Sequence, residues 1–140
     1  MKMSLTMPQI RSVLLVATAA GLGTTPSWAE PRADVTRDVQ GIAVATCLTR
    51  QSDPVLKEQG EGWLQMLSER AKAQPEDWKD LSDTIDAALA EAMVPVVMGD
   101  KPGEERPMPL ILCAELTDDP IVARQVDLLI ERLRPAYQAR

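Results

Sequence analysis

Cys47 and Cys113 are the only thiols in a chain of 140 residues that contains no histidine. A nucleophilic cysteine passes its proton to a neighbouring base, most often an imidazole. A redox pair takes a Cys-x-x-Cys spacing, and a zinc site gathers several thiols or imidazoles. None of these patterns is present. Without histidine there is also no Ser-His-Asp triad and no zincin motif, and neither a phosphate-cradling P-loop nor a dinucleotide fingerprint occurs. The adjacent acids Glu104-Glu105 and Asp118-Asp119 have the residue types for proton transfer, but neighbouring acids in turns ordinarily cap helices and carry solvated charge. No catalytic residue, cofactor or metal-ligand set is assigned, and a binding or inhibitory protein is expected in place of an enzyme.

The compartment decides what the two thiols do. Residues 1–29, MKMSLTMPQIRSVLLVATAAGLGTTPSWA, have the zones of a secretory leader: Lys2 and Arg11 give a positive start, and Ser12 to Leu22 an apolar stretch too short to span a bilayer. Ser27-Trp28-Ala29 then sets small residues where a signal peptidase reads. Cleavage before Glu30 is expected, leaving residues 30–140 as one helical domain in the bacterial periplasm, with no membrane attachment afterwards. In that oxidising compartment Cys47 and Cys113 are expected to form a disulfide. A loop of this length closes with about 4 kcal/mol of stabilisation in the chain-entropy model. Such a staple matters in a domain whose core has no Phe and few other rings.

Every acidic residue lies beyond the leader, so thirteen basic and twenty-one acidic side chains give the mature part a net charge of −8. Nucleic-acid binding needs a clustered basic surface, which is missing. A basic protein partner fits the charge.

The elements that must position these groups read as helices. Val35, Val39, Ile42, Ala43 and Cys47 recur at helical spacing after Asp34 or Thr36, predicting an amphipathic first helix with Cys47 on its buried side. Asp53-Pro54 opens a second, with Leu56, Trp63, Met66, Leu67 and Ala71 on one face. Gly60 and Gly62 interrupt that pattern: either the helix begins near Glu61, or the glycines permit close packing. Pro75 to Val94 predicts a third helix with Trp78, Leu81, Ile85, Ala88, Leu89, Ala92 and Met93 inward and an acidic, solvated first half, Glu76, Asp77, Asp80 and Asp83. Leu110, Ile111, Leu112 and Leu116 surround Cys113 in a short buried helix. Asp119-Pro120 launches the last, with Val122, Val126, Leu129, Ile130 and Leu133 inward and Pro135 as its end. CLTRQSDPV and CAELTDDPI place Asp-Pro at the same distance beyond each cysteine, so the bridge is expected to pin two similar helix corners together. No segment shows strand alternation. The fold expected is an all-α bundle of four to five helices with one disulfide and one long Pro-rich loop.

That loop, PVVMGDKPGEERPMP, holds four prolines and two glycines in fifteen residues between Pro95 and Pro109. No helix survives such a composition, and a long stiffened surface loop in a small domain reads as a binding element or as a plain connector.

Taken together, an exported helical domain with IAVATCLTR in its first helix, an amphipathic middle helix, and an irregular segment leading into MPLILCAELTDDPIVARQVDLLI resembles the type VI secretion amidase immunity family. The likeness spans roughly Asp38 to Leu133, although the loop is richer in proline than the family pattern and the second helix has little aromatic besides Trp63. The resemblance implies a periplasmic homodimer that binds a peptidoglycan amidase of papain-like chemistry and plugs its catalytic groove. It places the inserted loop at Met98 to Pro109 and assigns toxin contact to Met98, Asp100, Lys101, Glu104, Glu105, Arg106 and Met108. Two other readings fit an exported helical protein with one disulfide: an acid-stress chaperone that loosens when its carboxylates are neutralised, and an envelope-complex adaptor.

Overall fold

Small side chains decide the centre of the structure, a computed structural model that describes residues 34–71 and 73–138. The expected leader over 1–29 and its expected cleavage before Glu30 lie outside the described residues. Helix α1 (Asp34–Thr49) carries Gly41, Ala43 and Ala45, and from Asp38 to Leu48 none of its residues is exposed. The inward positions Val35, Val39, Ile42, Ala43 and Cys47 are buried as the spacing predicts. Asp38, Gly41, Ala45, Thr46 and Leu48 are buried as well. The one-sided helix of the sequence reading is thus a central one, because narrow residues between the large ones let neighbours approach from several sides.

Helix α2 (Pro54–Ala71) starts where Asp53 caps it, its Oδ1 accepting from the amides of Val55 at 2.8 Å and Leu56 at 3.2 Å. The helix runs unbroken through both glycines, which settles the two alternatives in favour of close packing at one of them. A Cβ on Gly60 would stand 2.8 Å from the Ala45 carbonyl oxygen and 2.9 Å from the Thr49 nitrogen, both backbone atoms of α1. Gly62 faces open space. Gly60→Ala is expected to destabilise by about 2 kcal/mol, overpacking outweighing the gain in helix propensity, whereas Gly62→Ala stabilises by about 0.5–1 kcal/mol. Urea denaturation of the pair checks this, and equal effects at the two sites would refute the close approach. Met66, predicted inward, is exposed, and Leu67 takes the core position beside it.

The predicted helix from Pro75 to Val94 is shorter and divided. A 3-10 turn (Pro75–Trp78) comes first, its start closed by the Gln74 amide donating to Asp77 Oδ2 at 2.7 Å, and helix α3 (Lys79–Glu91) follows. It ends before Ala92, whose backbone is extended. Pro95 accounts for this, since it disfavours helical geometry in the residue before it and has no amide to give. Met93 therefore points to solvent, 90% exposed, and not into the core.

Two short strands follow, β1 (Val96–Val97) and β2 (Arg106–Pro107), paired antiparallel with Val96 opposite Pro107 and Val97 opposite Arg106. The long loop is thus a β-hairpin, which the sequence reading, finding no strand, did not foresee. Helix α4 (Pro109–Glu115) and a 3-10 turn (Leu116–Asp118) carry Leu112, Cys113 and Leu116 inward, while Leu110 and Ile111, expected to be buried, are exposed.

Helix α5 (Pro120–Gln138) is capped by Asp119, whose Oδ1 accepts from the Ile121 amide at 2.8 Å and the Val122 amide at 3.1 Å, and it buries all five predicted residues. It does not end at Pro135 but continues one turn beyond it. The lost backbone bond is offset by a tertiary one, from the Tyr137 hydroxyl to Asp38 Oδ2 at 2.7 Å.

Asp38 is the polar centre of the bundle. Its carboxylate is fully buried and receives Arg70 in a bidentate pair, Nε to Oδ2 at 2.8 Å and Nη2 to Oδ1 at 2.6 Å, with Arg37 Nε at 3.4 Å. Burial pushes the carboxyl up, but the hydrogen bonds from Arg70 and Tyr137, the Arg70 charge and the bond from Arg37 together hold it below the ordinary carboxylate value. One side chain thereby ties α1, α2 and α5. Cys47 and Cys113 form a disulfide with their Cα atoms 5.5 Å apart, tying α1 to α4. The result is an all-α bundle of five helices among the described residues. No helix among them is long and apolar enough to cross a membrane.

Candidate functional site

The hairpin arm is built from local chemistry. Pro95, Pro102, Pro107 and Pro109 forbid helix, and Val96 and Val97 favour extended backbone. Between the strands, Lys101-Pro102-Gly103-Glu104 closes a turn in which the Glu104 amide donates to the Lys101 carbonyl at 3.2 Å and Gly103 takes φ +87°. Proline followed by glycine at the two central positions is the signature of a type II turn. Gly99 is required for a separate reason: a Cβ there would lie 2.8 Å from the Glu104 carbonyl oxygen across the hairpin.

The root of the arm is fixed. The Met108 amide donates to the Pro95 carbonyl at 2.7 Å, and the Met108 carbonyl accepts from the amides of Ile111 and Leu112, opening α4. At the very next residue after Leu112, the disulfide through Cys113 fastens α4 to α1. There Gln51 Nε2 donates to the Cys47 carbonyl at 3.1 Å and lies 3.4 Å from Cys113 Sγ. Beside the root a cleft of about 360 Å³ is lined by Arg50, Gln51, Asp86, Leu89, Val94 and Leu112. Its Arg50 guanidinium donates to both Asp86 oxygens, at 2.7 and 3.2 Å, and to Ser82 Oγ at 2.9 Å. The hydrogen bond to Asp86 is the main influence raising its pKa, so the group stays charged.

Residues 96–107 are all exposed. Asp100, Lys101, Glu104 and Glu105 lie between the strands, Arg106 stands on β2 opposite Val97, Met98 follows β1 with 68% of its surface exposed, and Met108 is half-buried at the root. The seven assigned contact residues therefore share one projecting element. None of the five charged side chains among them makes an ion pair among the described residues.

Comparison with protein-family models, curated proteins and solved structures finds no match for this chain.

Sequence reasoning placed Met98 on this surface but missed the rest of its apolar part. Of the eleven large hydrophobic side chains exposed among the described residues, seven lie between Met93 and Ile111. Such clustering marks an interaction surface, where scattered exposed residues would not. Helical periodicity had assigned Met93, Leu110 and Ile111 to the core, since a stripe of apolar residues does not say whether a partner element covers it. A second cleft, of about 470 Å³, lies between α3 and the start of α5, with Asp83, Glu91 and Asp119 on its rim. Two of these acids are engaged, Asp83 by Lys79 and Asp119 by the amides it caps. No group of three His, Cys, Asp or Glu side chains suited to a metal ion occurs among the described residues.

Proposed function

We propose that this chain is a periplasmic immunity protein: it binds a peptidoglycan amidase delivered by type VI secretion and inhibits it by seating the hairpin arm in the catalytic groove. The observation that carries this reading is the arm itself, an exposed hairpin with apolar flanks and charges outside any ion pair, its root helix held by a disulfide and its shape set by Gly99 and Gly103. An element already ordered before docking forfeits little conformational entropy, and blocking a groove needs shape and charge alone. The target's cleft must admit a peptide stem, and Asp100, Glu104 and Glu105 suit basic groups on its rim, with Arg106 suiting an acidic one. The charge of −8 speeds capture of a basic amidase. In this reading the protein acts as a homodimer, as the family resemblance implies. The apolar patch is exposed in the folded protein, which favours a constitutive binder over a chaperone that must first loosen in acid.

The test is inhibition of the Cys-His amidase expected from the neighbouring reading frame. Replacing Glu104, Glu105 and Arg106 together by alanine weakens inhibition at least about tenfold, a loss on the order of 1.4 kcal/mol, with the melting temperature unchanged because all three side chains are exposed. Full inhibition by the triple variant moves the contact away from the arm.

A further inference from the structure

The register of the hairpin decides which of its edges is open. In an antiparallel pair, residues directly opposite one another alternate between exchanging both backbone bonds and turning those groups outward. Met108 bonds to Pro95, and Val97 is opposite Arg106. Pro95–Met108 and Val97–Arg106 are then the bonded positions, and Val96 and Met98 turn their amides and carbonyls away from β2. On the other edge Pro107 occupies the corresponding outward position and has no amide to offer. Glu105 and Arg106 add charge there.

Natural proteins blunt exposed strand edges with proline, charge or a covering element. The β2 edge has the first two. The β1 edge, Val96-Val97 continued by Met98 just beyond the paired residues, has neither, and its side chains are exposed on both faces. Two donors and two acceptors, spaced two residues apart between β-branched and thioether side chains, match the requirement of an added strand. We infer that the β1 edge of the arm captures an extended segment of its partner by backbone pairing at Val96 and Met98, the segment being apolar at alternate positions and basic where it passes Asp100. A second copy is the less favoured occupant of this edge, because its own arm would set Asp100, Glu104 and Glu105 beside the same acids, whatever other surface a homodimer uses. This inference deepens the immunity reading and rests on it for the partner's identity, but its chemistry can be tested separately.

The experiment uses the full mature chain, isotope-labelled, and a short capped peptide alternating valine and lysine. A peptide of the same composition with its valines and lysines in separate blocks serves as control. The alternating peptide slows hydrogen exchange at the Val96 and Met98 amides by roughly tenfold or more and leaves Val97 and Arg106 as they were; the block peptide does not. Val96→Pro and Met98→Pro each delete an outward amide without touching a hairpin bond and weaken binding roughly tenfold, while Glu105→Pro, on the opposite edge, leaves it intact. Should a proline variant unfold, the exchange measurement on the unaltered chain still decides. Binding that leaves the Val96 and Met98 amides unprotected overturns the inference, and so does concentration-dependent protection without peptide, which assigns the edge to a second copy. An amidase that binds with those amides unprotected overturns it while sparing the immunity reading. Peptide capture together with no amidase binding supports the edge and removes the immunity reading.

Discussion

Replacing Arg70 with alanine destabilises the protein by about 3 kcal/mol at neutral pH, lowering the melting temperature on the order of 15 °C. The loss comes from the carboxylate left behind. Asp38 is fully buried, and without its bidentate partner it keeps only Tyr137 and the longer bond from Arg37. Breaking a buried pair costs about 3–5 kcal/mol, and the lower end applies because the Arg70 side chain is 37% exposed, so that its removal lets water reach the Asp38 carboxylate from that side. A domain of this size shifts its melting temperature by roughly 4–8 °C per kcal/mol. The same network sets a pH dependence. The folded-state pKa of Asp38 lies below its unfolded value, so the unfolded chain binds the proton more readily. The stabilisation is complete above about pH 5, and it is lost as the pH falls through the unfolded value near about 4 and on through the folded one. Asp38→Asn cannot titrate. The stability gap between wild type and that variant is therefore widest at neutral pH and narrows in acid, as read by urea denaturation across a pH series. A gap constant down to about pH 2.5 would show that Asp38 contributes no charge to the fold.

Removing the disulfide has a comparable effect by a different route. The bridge joins positions 66 residues apart. In the chain-entropy account a loop of that length contributes about 4 kcal/mol by restricting the unfolded chain. The double variant Cys47→Ala/Cys113→Ala is expected to melt on the order of 20 °C lower, with calorimetry as the measurement. The arm responds more sharply than the bundle. Its root helix α4 brings only Leu112 and Cys113 into burial, and the 3-10 turn after it Leu116, whereas α1, α2, α3 and α5 hold most of the remaining core. Hydrogen exchange therefore accelerates in 95–115 before it does in α1 or α5. A loss under about 5 °C, or uniform acceleration, would remove the bridge from this role.

What could be read from the sequence follows how local each signal is. Asp53-Pro54 and Asp119-Pro120 were legible because a cap is made by a side chain and amides two or three residues on. The cysteine pairing followed from export logic and a count of two. The inward stripe of α5 was legible because its five buried residues recur at helical spacing against an outer face that is mostly polar, Ile121 and Leu128 excepted. The Asp38 cluster was not, since Arg70 and Tyr137 stand 32 and 99 residues away and no short pattern announces their convergence. Pro135 misled for the same reason: the bond that keeps the helix going past it comes from outside the helix. In the arm, the loop was found from composition and its contact residues were assigned by the family resemblance, but the hairpin was missed although Lys101-Pro102-Gly103-Glu104 between two valines and an arginine is a turn signal. Two-residue strands are too short for alternation to register.

The full exposure of residues 96–107 separates two histories that most small domains must reconcile. Substitutions along that stretch leave the buried framework untouched, apart from the glycines that shape it, so the arm is free to diverge quickly while the helices drift slowly. On the proposed immunity reading, lineages facing different antagonists can rewrite this one exposed address and keep the same scaffold beneath it.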